Sequence, residues 1–262
     1  MGSESDAVTV KRSSNHQRRR PNQTGTPSPH TERIRMKPTA LDLFCGGGGT
    51  TIGLMQAGFQ VTGVDIIQPK NYPGHDFIKK DVRDIPIDFL LGFDYVTASP
   101  PCHRHSIATR SQRDFDREKY PCYIEQVREM LRDHPLYSIE NVPLAPLRTS
   151  LILTGQPFGL KRLWRKRHFE NSFIVPQPSL GNRPRNCISV TTSMCSNNHY
   201  YRRKKLGLQG RPPLWVCLSI MGYPRWTWKH YPKWTLLNYH EVGNSVPPPY
   251  ARYIAEHAKA YL

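Results

Sequence analysis

The sequence predicts an α/β fold built on a mostly parallel sheet, and three observations carry that expectation. Apolar runs of strand length alternate with helix-length segments from Thr39 to Ile139. The first run, Leu41-Asp42-Leu43-Phe44, ends in Cys45 and the four glycines Gly46 to Gly49, then enters a helical pattern. Glycine lets backbone approach a ligand closely, and the helix N-terminus behind it offers unpaired N–H groups, so this is the architecture of a nucleotide-binding turn. The third observation is Asp65, which closes the run Val61-Thr62-Gly63-Val64. It stands about 20 residues after the glycines, the spacing at which an acid accepts bonds from a ribose hydroxyl.

The elements follow in order. After a strand from Thr39 come a helix over 51–58, a strand over 60–65 and the stretch Asp76 to Lys80 leading to Asp81. A further strand, Phe93-Asp94-Tyr95-Val96-Thr97-Ala98, runs into Ser99-Pro100-Pro101-Cys102. The segment from His103 to Arg117 is too hydrophilic to pack and long enough to move, so it reads as a lid. A helix over 118–133 is expected next, then the strand Leu136-Tyr137-Ser138-Ile139 with Glu140-Asn141-Val142-Pro143 at its end. Pro247-Pro248-Pro249 opens a last helix to Leu262, proline being tolerated in a first turn. Ligands of parallel sheets lie beyond the carboxyl ends of the strands, where the glycines, Asp65, Asp81, Cys102 and Glu140 all fall.

The chain of 262 residues carries a net charge of +17, distributed unevenly. Residues 39–160 hold twelve Lys and Arg against fourteen acids, whereas 161–235 hold fifteen against the single acid Glu170. Residues 1–38 add eight basic against three acidic side chains, with almost no apolar periodicity, and read as a disordered basic arm. Cations concentrated in a segment that also holds Trp and Tyr point to nucleic acid as the partner. Six cysteines without a C-x-x-C pair suit a reducing compartment. No run reaches membrane-spanning length and the first residues lack a secretory apolar stretch, so an intracellular, cytoplasmic or DNA-associated protein is expected.

Taken together, Asp42-Leu43-Phe44-Cys45-Gly46-Gly47-Gly48-Gly49, Ser99-Pro100-Pro101-Cys102 and Glu140-Asn141-Val142 resemble the cofactor, nucleophile and glutamate motifs of the DNA (cytosine-5)-methyltransferase family. Arg165-Lys166-Arg167 is similar to its Arg-x-Arg motif and Gly243-Asn244-Ser245-Val246 to its closing motif. The five occur in family order. The resemblance covers 39–173 and 236–262, which become the catalytic domain and a C-terminal segment returning to it. Residues 174–235 become a compact target-recognition region, with Arg183, Arg185, Arg202, Arg203, Lys204 and Lys205 beside Tyr200, Tyr201, Trp215, Trp226, Trp228 and Trp234. At least half of these tryptophans are expected to form that region's small core. The chain departs from the family in His103, where Gln is usual.

The resemblance implies a Rossmann-like, S-adenosylmethionine-dependent methyltransferase fold and methyl transfer to C5 of cytosine in DNA. It implies Cys102 as nucleophile, Glu140 on the cytosine N3/N4 edge, and Arg165 and Arg167 holding the base or neutralising charge. For S-adenosylmethionine it implies Phe44, Gly46, Gly48, Gly49, Asp65, Asp81, Pro100, Asn244 and Ser245. A monomer acting on DNA, with neither membrane nor metal, is the expected state. An RNA cytosine methyltransferase and a catalytically silent DNA-binding homologue remain open on the same residues. A zinc nucleobase deaminase does not fit, because Pro101-Cys102-His103-Arg104-His105 lacks a second cysteine and no H-x-E precedes it.

Overall fold

Strand β1 (Thr39–Leu43) lies at the centre of a seven-stranded sheet ordered β3-β2-β1-β4-β5-β7-β6. Its companions are β2 (Gln60–Asp65), β3 (Asp76–Lys79), β4 (Tyr95–Ala98), β5 (Tyr137–Asn141), β6 (Leu151–Leu153) and β7 (Arg167–Asn171). The computed structural model describes residues 37–110, 114–188, 190, 214–230 and 236–262. The basic arm, except for residues 37 and 38, and the cluster Arg202 to Lys205 lie outside them.

Pairing is parallel from β3 through β5, while β7 runs antiparallel to both β5 and β6. The sheet is thus mixed and mostly parallel. The strands β6 and β7 were not foreseen: three residues make too short a run to read, and Arg167-His168-Phe169-Glu170-Asn171 shows mostly polar letters. Chain order reverses on either side of β1, so the crevice between the ends of β1 and β4 is the switch point where α/β sheets bind ligands.

Among the described residues the helices are α1 (Gly49–Gln56), α2 (Ile87–Leu91), α3 (Ile107–Arg110), α4 (Ile124–Met130), α5 (Leu214–Ile220), α6 (Leu236–Asn244) and α7 (Pro248–Ala258). On one face of the sheet Leu54, Phe59, Tyr95, Phe169, Tyr250 and Ile254 share one core. Another joins Leu43, Val82, Leu90, Val96, Val127, Leu131 and Ile139. Helices α1 and α7 pack so closely that a Cβ on Gly53 would lie 2.6 Å from Ala251 Cβ. A third cluster joins Ile52 and Leu163 to Leu214, Cys217, Leu218, Met221, Tyr223 and Val242. Trp215 and Trp226 are exposed, while the side chains of Trp228 and Trp234, which the expected tryptophan core also involves, lie outside the described residues.

Two local expectations change. The helix expected from 118 starts at Ile124, because Pro121 interrupts it and Asp116 caps a separate 3-10 turn over 117–119 by accepting from Glu118 N at 3.0 Å. The polar stretch after Cys102 is also better anchored than its hydrophilicity suggests. Arg104 donates to the carbonyls of Arg117 and Tyr120 at 3.3 and 3.1 Å, so its charge serves as a tether and not as a solvated surface group.

Asp42 is fully buried under the glycine turn. Its Oδ2 accepts from Thr51 Oγ1 at 2.6 Å, but Oδ1 has no hydrogen-bond partner, and burial pushes its pKa up to about 7. Between the ordinary value of 3.8 and about 7 the folded chain holds a proton that the unfolded chain has lost. Stability therefore falls as pH rises across that window, by up to about 4 kcal/mol, and is flat in this term above it. Asp42→Asn, which mimics the neutral acid, should match the wild type near pH 4 and exceed its melting temperature at pH 8; equal melting temperatures at both would contradict this. Gly53→Ala should lower stability by about 1–3 kcal/mol in urea unfolding, because α1 and α7 must part to admit the methyl group.

Candidate active site

The glycine turn is held in shape before any ligand enters. Gly46 and Gly48 adopt φ of 47° and 77°, and Phe44, a non-glycine residue, sits at 59°, a costly backbone conformation that the surrounding packing must impose. Gly46 N donates to Asp65 Oδ2 at 3.0 Å, and Ile67 N donates to Asp65 Oδ1 at 3.1 Å. The carboxylate thus fixes the ends of β1 and β2 together, and each oxygen keeps a second lone pair for a ligand hydroxyl.

A cavity of about 570 Å³ opens at this switch point. Its wall includes Phe44, Gly46, Gly49, Asp65, Asp81, Pro100, Asn244 and Ser245 at one part, and Cys102, Glu140 and Arg167 at another. A side chain on Gly46 would meet nothing within 4 Å, so glycine there leaves space that a ligand can use. The adjoining apolar wall comes from Ile66, Ile67, Val82, Tyr123 and Val142. Ile66 and Ile67, 59% and 70% exposed, are costly to leave in water and lie where a flat apolar ring would cover them. A cofactor with a ribose, an aromatic base and a small charged tail fits these donors and surfaces.

Two expected site residues stand away from that wall. Gly48 does not line the cavity: its α-carbon faces Pro73, with the ring 2.5 Å from where a Cβ would be, and it serves as N-cap of α1. Its glycine identity answers to positive φ and packing. Arg165 is buried and donates at 2.7 Å to both Val190 O and Gly243 O, so it ties its segment to the Gly243-Asn244-Ser245 motif without reaching the cavity. Asp81 does line the cavity, but Arg83 already grips its carboxylate at 2.6 Å and holds its pKa down to about 2.

Asn141, whose role sequence reasoning missed, donates through Nδ2 to Pro100 O at 2.9 Å and accepts from Val142 N at 2.9 Å. The side chain beside Glu140 therefore sets the backbone just before Cys102. Tyr123 was missed as well, since nothing in a Pro-Cys-Tyr run marks it; its ring lies 6.3 Å from that of Phe44, and the Arg83 guanidinium stands 5.5 Å above it.

Glu140 is buried, and its Oε1 lies 2.7 Å from Arg167 Nε. The contact is an ion pair by distance but lacks hydrogen-bond alignment, so Oε1 remains without a hydrogen-bond partner. An unsatisfied buried carboxylate oxygen facing a cavity is costly unless a ligand completes it. Burial raises the Glu140 pKa, while Arg167 and Arg165 oppose that rise. Burial likewise pushes the Cys102 thiol up; the two arginines lower it and the Glu140 charge raises it. The thiol is therefore held protonated until charge around it is rearranged.

This coupling can be read directly. Alkylation by iodoacetamide follows the thiolate and rises with pH through the thiol pKa. Glu140→Gln removes the nearest negative charge, so the alkylation midpoint of Cys102 should move to lower pH. A midpoint that stays or moves upward would show that Glu140 does not act on the thiol.

Residues 39–145 match the family of C-5 cytosine-specific DNA methylases. The type II methyltransferase M1.HphI of Haemophilus parahaemolyticus is 32% identical over 123 residues, which make up 41% of this chain and 33% of that protein. The chain thus spans about a third of the length of the curated relative it matches. Among solved structures, the S. pombe Dnmt2 methyltransferase superposes with a TM-score of 0.58 at 14% identity, over 86% of this chain and 99% of that one. The Entamoeba histolytica methyltransferase EhMeth gives 0.56 at 14% identity, over 86% and 98%. At such identities the likeness is one of fold. The glycine turn, the nucleophile motif and the glutamate motif all lie inside the segment that matches the family of C-5 cytosine-specific DNA methylases.

Proposed function

We propose that this chain transfers the methyl group of S-adenosylmethionine to C5 of cytosine in DNA, through a covalent bond between Cys102 and C6. The observation that carries the reading is that Cys102, Glu140 and Arg167 share one cavity wall with Phe44, Gly46 and Asp65, so a base and a cofactor can meet there. The matched family implies the cofactor and supports DNA as the substrate, and the likeness to a type II methyltransferase of Haemophilus parahaemolyticus supports a restriction-modification setting.

Cytosine C5 is a weak nucleophile, so the residues must first change the ring. The Cys102 thiol loses its proton as Sγ adds to C6, and that proton is passed by Glu140 to N3; the C5=C6 electrons then make C5 enamine-like. Arg167 pairs with the Glu140 carboxylate, which lowers the cost of keeping a buried anion that takes up and gives back this proton. S-adenosylmethionine, when bound, supplies the electrophilic methyl carbon that C5 takes up. Loss of the C5 proton to solvent and cleavage of the Sγ–C6 bond, with the N3 proton returned through Glu140 to sulfur, then restore the aromatic ring, the thiol and the methylated base. Asp65 would accept from the ribose, with Phe44, Ile66 and Val82 covering the adenine. Because C6 is shielded in a stacked duplex, the cytosine must be turned out to reach Cys102.

Incubation with methyl-labelled cofactor and matched DNA and RNA oligonucleotides tests the reading. Label should appear on DNA cytosine with the wild type and be absent with Cys102→Ala, which should still bind cofactor. Label on RNA alone would move the substrate class, and full transfer by Cys102→Ala would refute the nucleophile. Asp65→Asn should weaken calorimetric affinity for S-adenosylmethionine about tenfold or more, a charged acceptor being lost; unaltered affinity would remove Asp65 from the cofactor site.

A further inference from the structure

Beside the nucleophile, three rings stand in a near-parallel ladder. His103 stacks on Tyr120 with centroids 5.8 Å apart and planes 18° apart, and Tyr120 stacks on Phe115 at 5.9 Å and 9°. The ladder is braced from below. Arg104, next to His103, donates to Tyr120 O at 3.1 Å and pairs with Glu118 at 3.3 Å. His105 N and Ser106 N both donate to Cys102 O, at 2.9 and 2.8 Å, and the His105 ring reaches Cys122 Sγ at 3.3 Å. Residues 102–106 are thereby fastened to the segment 115–122 that supplies the other two rings.

His103 is exposed and also lines the cavity that holds Cys102. One face of its imidazole is covered by Tyr120, which leaves the other at the mouth through which a base must enter. Arg110 and Arg117 are exposed in the same segment, and after burial itself the charges of Arg117, Arg104 and Arg110 help to hold the neighbouring His105 imidazole below its ordinary pKa. Stacked rings with exposed arginines beside them are the surface on which single-stranded nucleic acid binds, the rings taking bases and the guanidinium groups taking phosphates. A membrane offers no flat aromatic ring to continue the ladder, and a peptide lacks the row of phosphates that exposed guanidinium groups would take.

We propose that His103, backed by Tyr120 and Phe115, is a stacking platform for the nucleobase next to the target cytosine. The inference rests on the proposed cytosine-directed reaction and names how that site holds its substrate. When the cytosine leaves its stack, the adjoining base loses a neighbour, and the imidazole face replaces the lost contact. The platform reads ring planarity and not base identity, so it stabilises the opened strand whatever the flanking base.

The test measures the affinity of the purified protein for a short oligonucleotide with one cytosine, flanked on both sides by thymine or by abasic residues. Stacking contributes about 1–3 kcal/mol per base, so the wild type should bind the abasic form about 5- to 100-fold more weakly. His103→Ala should bind the thymine-flanked form that weakly too, with no further loss on the abasic form. His103→Phe, which keeps a ring, should restore the wild-type difference, whereas His103→Gln should resemble His103→Ala. Melting temperature and cofactor affinity should be unchanged in all three variants, a readout that a merely structural role for His103 would move. A full abasic penalty in His103→Ala, or failure of His103→Phe to rescue, would overturn the platform. If methyl transfer is absent while this pattern of affinities holds, the platform stands and the proposed reaction falls.

Discussion

The site depends on a buried carboxylate and a guanidinium 2.7 Å apart, Glu140 at the end of β5 and Arg167 at the start of β7. Neither charge is tolerable there alone, since stripping one partner from a buried pair leaves an uncompensated ion at a cost of about 3–5 kcal/mol. The antiparallel entry of β7 brings them together. It turns the chain so that Arg167 arrives beside the carboxyl end of β5 and not at the far edge of the sheet. Arg165, two residues earlier, then fastens this strand's start to the Gly243-Asn244-Ser245 motif through Gly243 O. The closing motif, the glutamate and the thiol become parts of one electrostatic unit, whose charges set one another's proton affinities.

The second half of the cavity is built on different physics. There the backbone is bent into left-handed conformations at Phe44, Gly46 and Gly48 and held by the Asp65 carboxylate. Ser99 N donates to Leu43 O at 3.1 Å and Asn141 reaches Pro100 O, so the nucleophile segment is suspended between the cofactor turn and the glutamate strand. A geometry that joins the two halves through backbone carbonyls transmits little side-chain motion. Precise placement of Sγ against the base follows from that stiffness.

Much of this was legible in the chain. Strands β1, β2, β4 and β5, the glycine turn, Asp65 at a strand end and Cys102 at the rim follow from periodicity and spacing, because central parallel strands are nearly continuous apolar runs. The sequence could not show β6 and β7, whose pairing is decided by partners far along the chain. Nor could it separate Gly48 from Gly46: four identical letters carry no sign of which α-carbon faces a cavity and which faces Pro73. Arg165 and Arg167 pose the same difficulty: strand β7 begins only at Arg167, and of two arginines in one short motif one reaches backbone carbonyls and the other the cavity. The anchored loop after Cys102 was missed because hydrophilicity does not reveal that Arg104 bonds carbonyls instead of water.

The proposed reaction requires sulfur at position 102 to bond to the target ring. An oligonucleotide bearing fluorine at C5 of its cytosine tests it most directly, because after methyl transfer the last elimination has no proton to remove and the adduct persists. Digestion and peptide mapping by mass spectrometry should then find the methylated fluorocytosine on the peptide that contains Cys102. The same base on Cys45, Cys122, Cys187, Cys195 or Cys217, or no adduct under conditions where ordinary cytosine is methylated, would contradict the account.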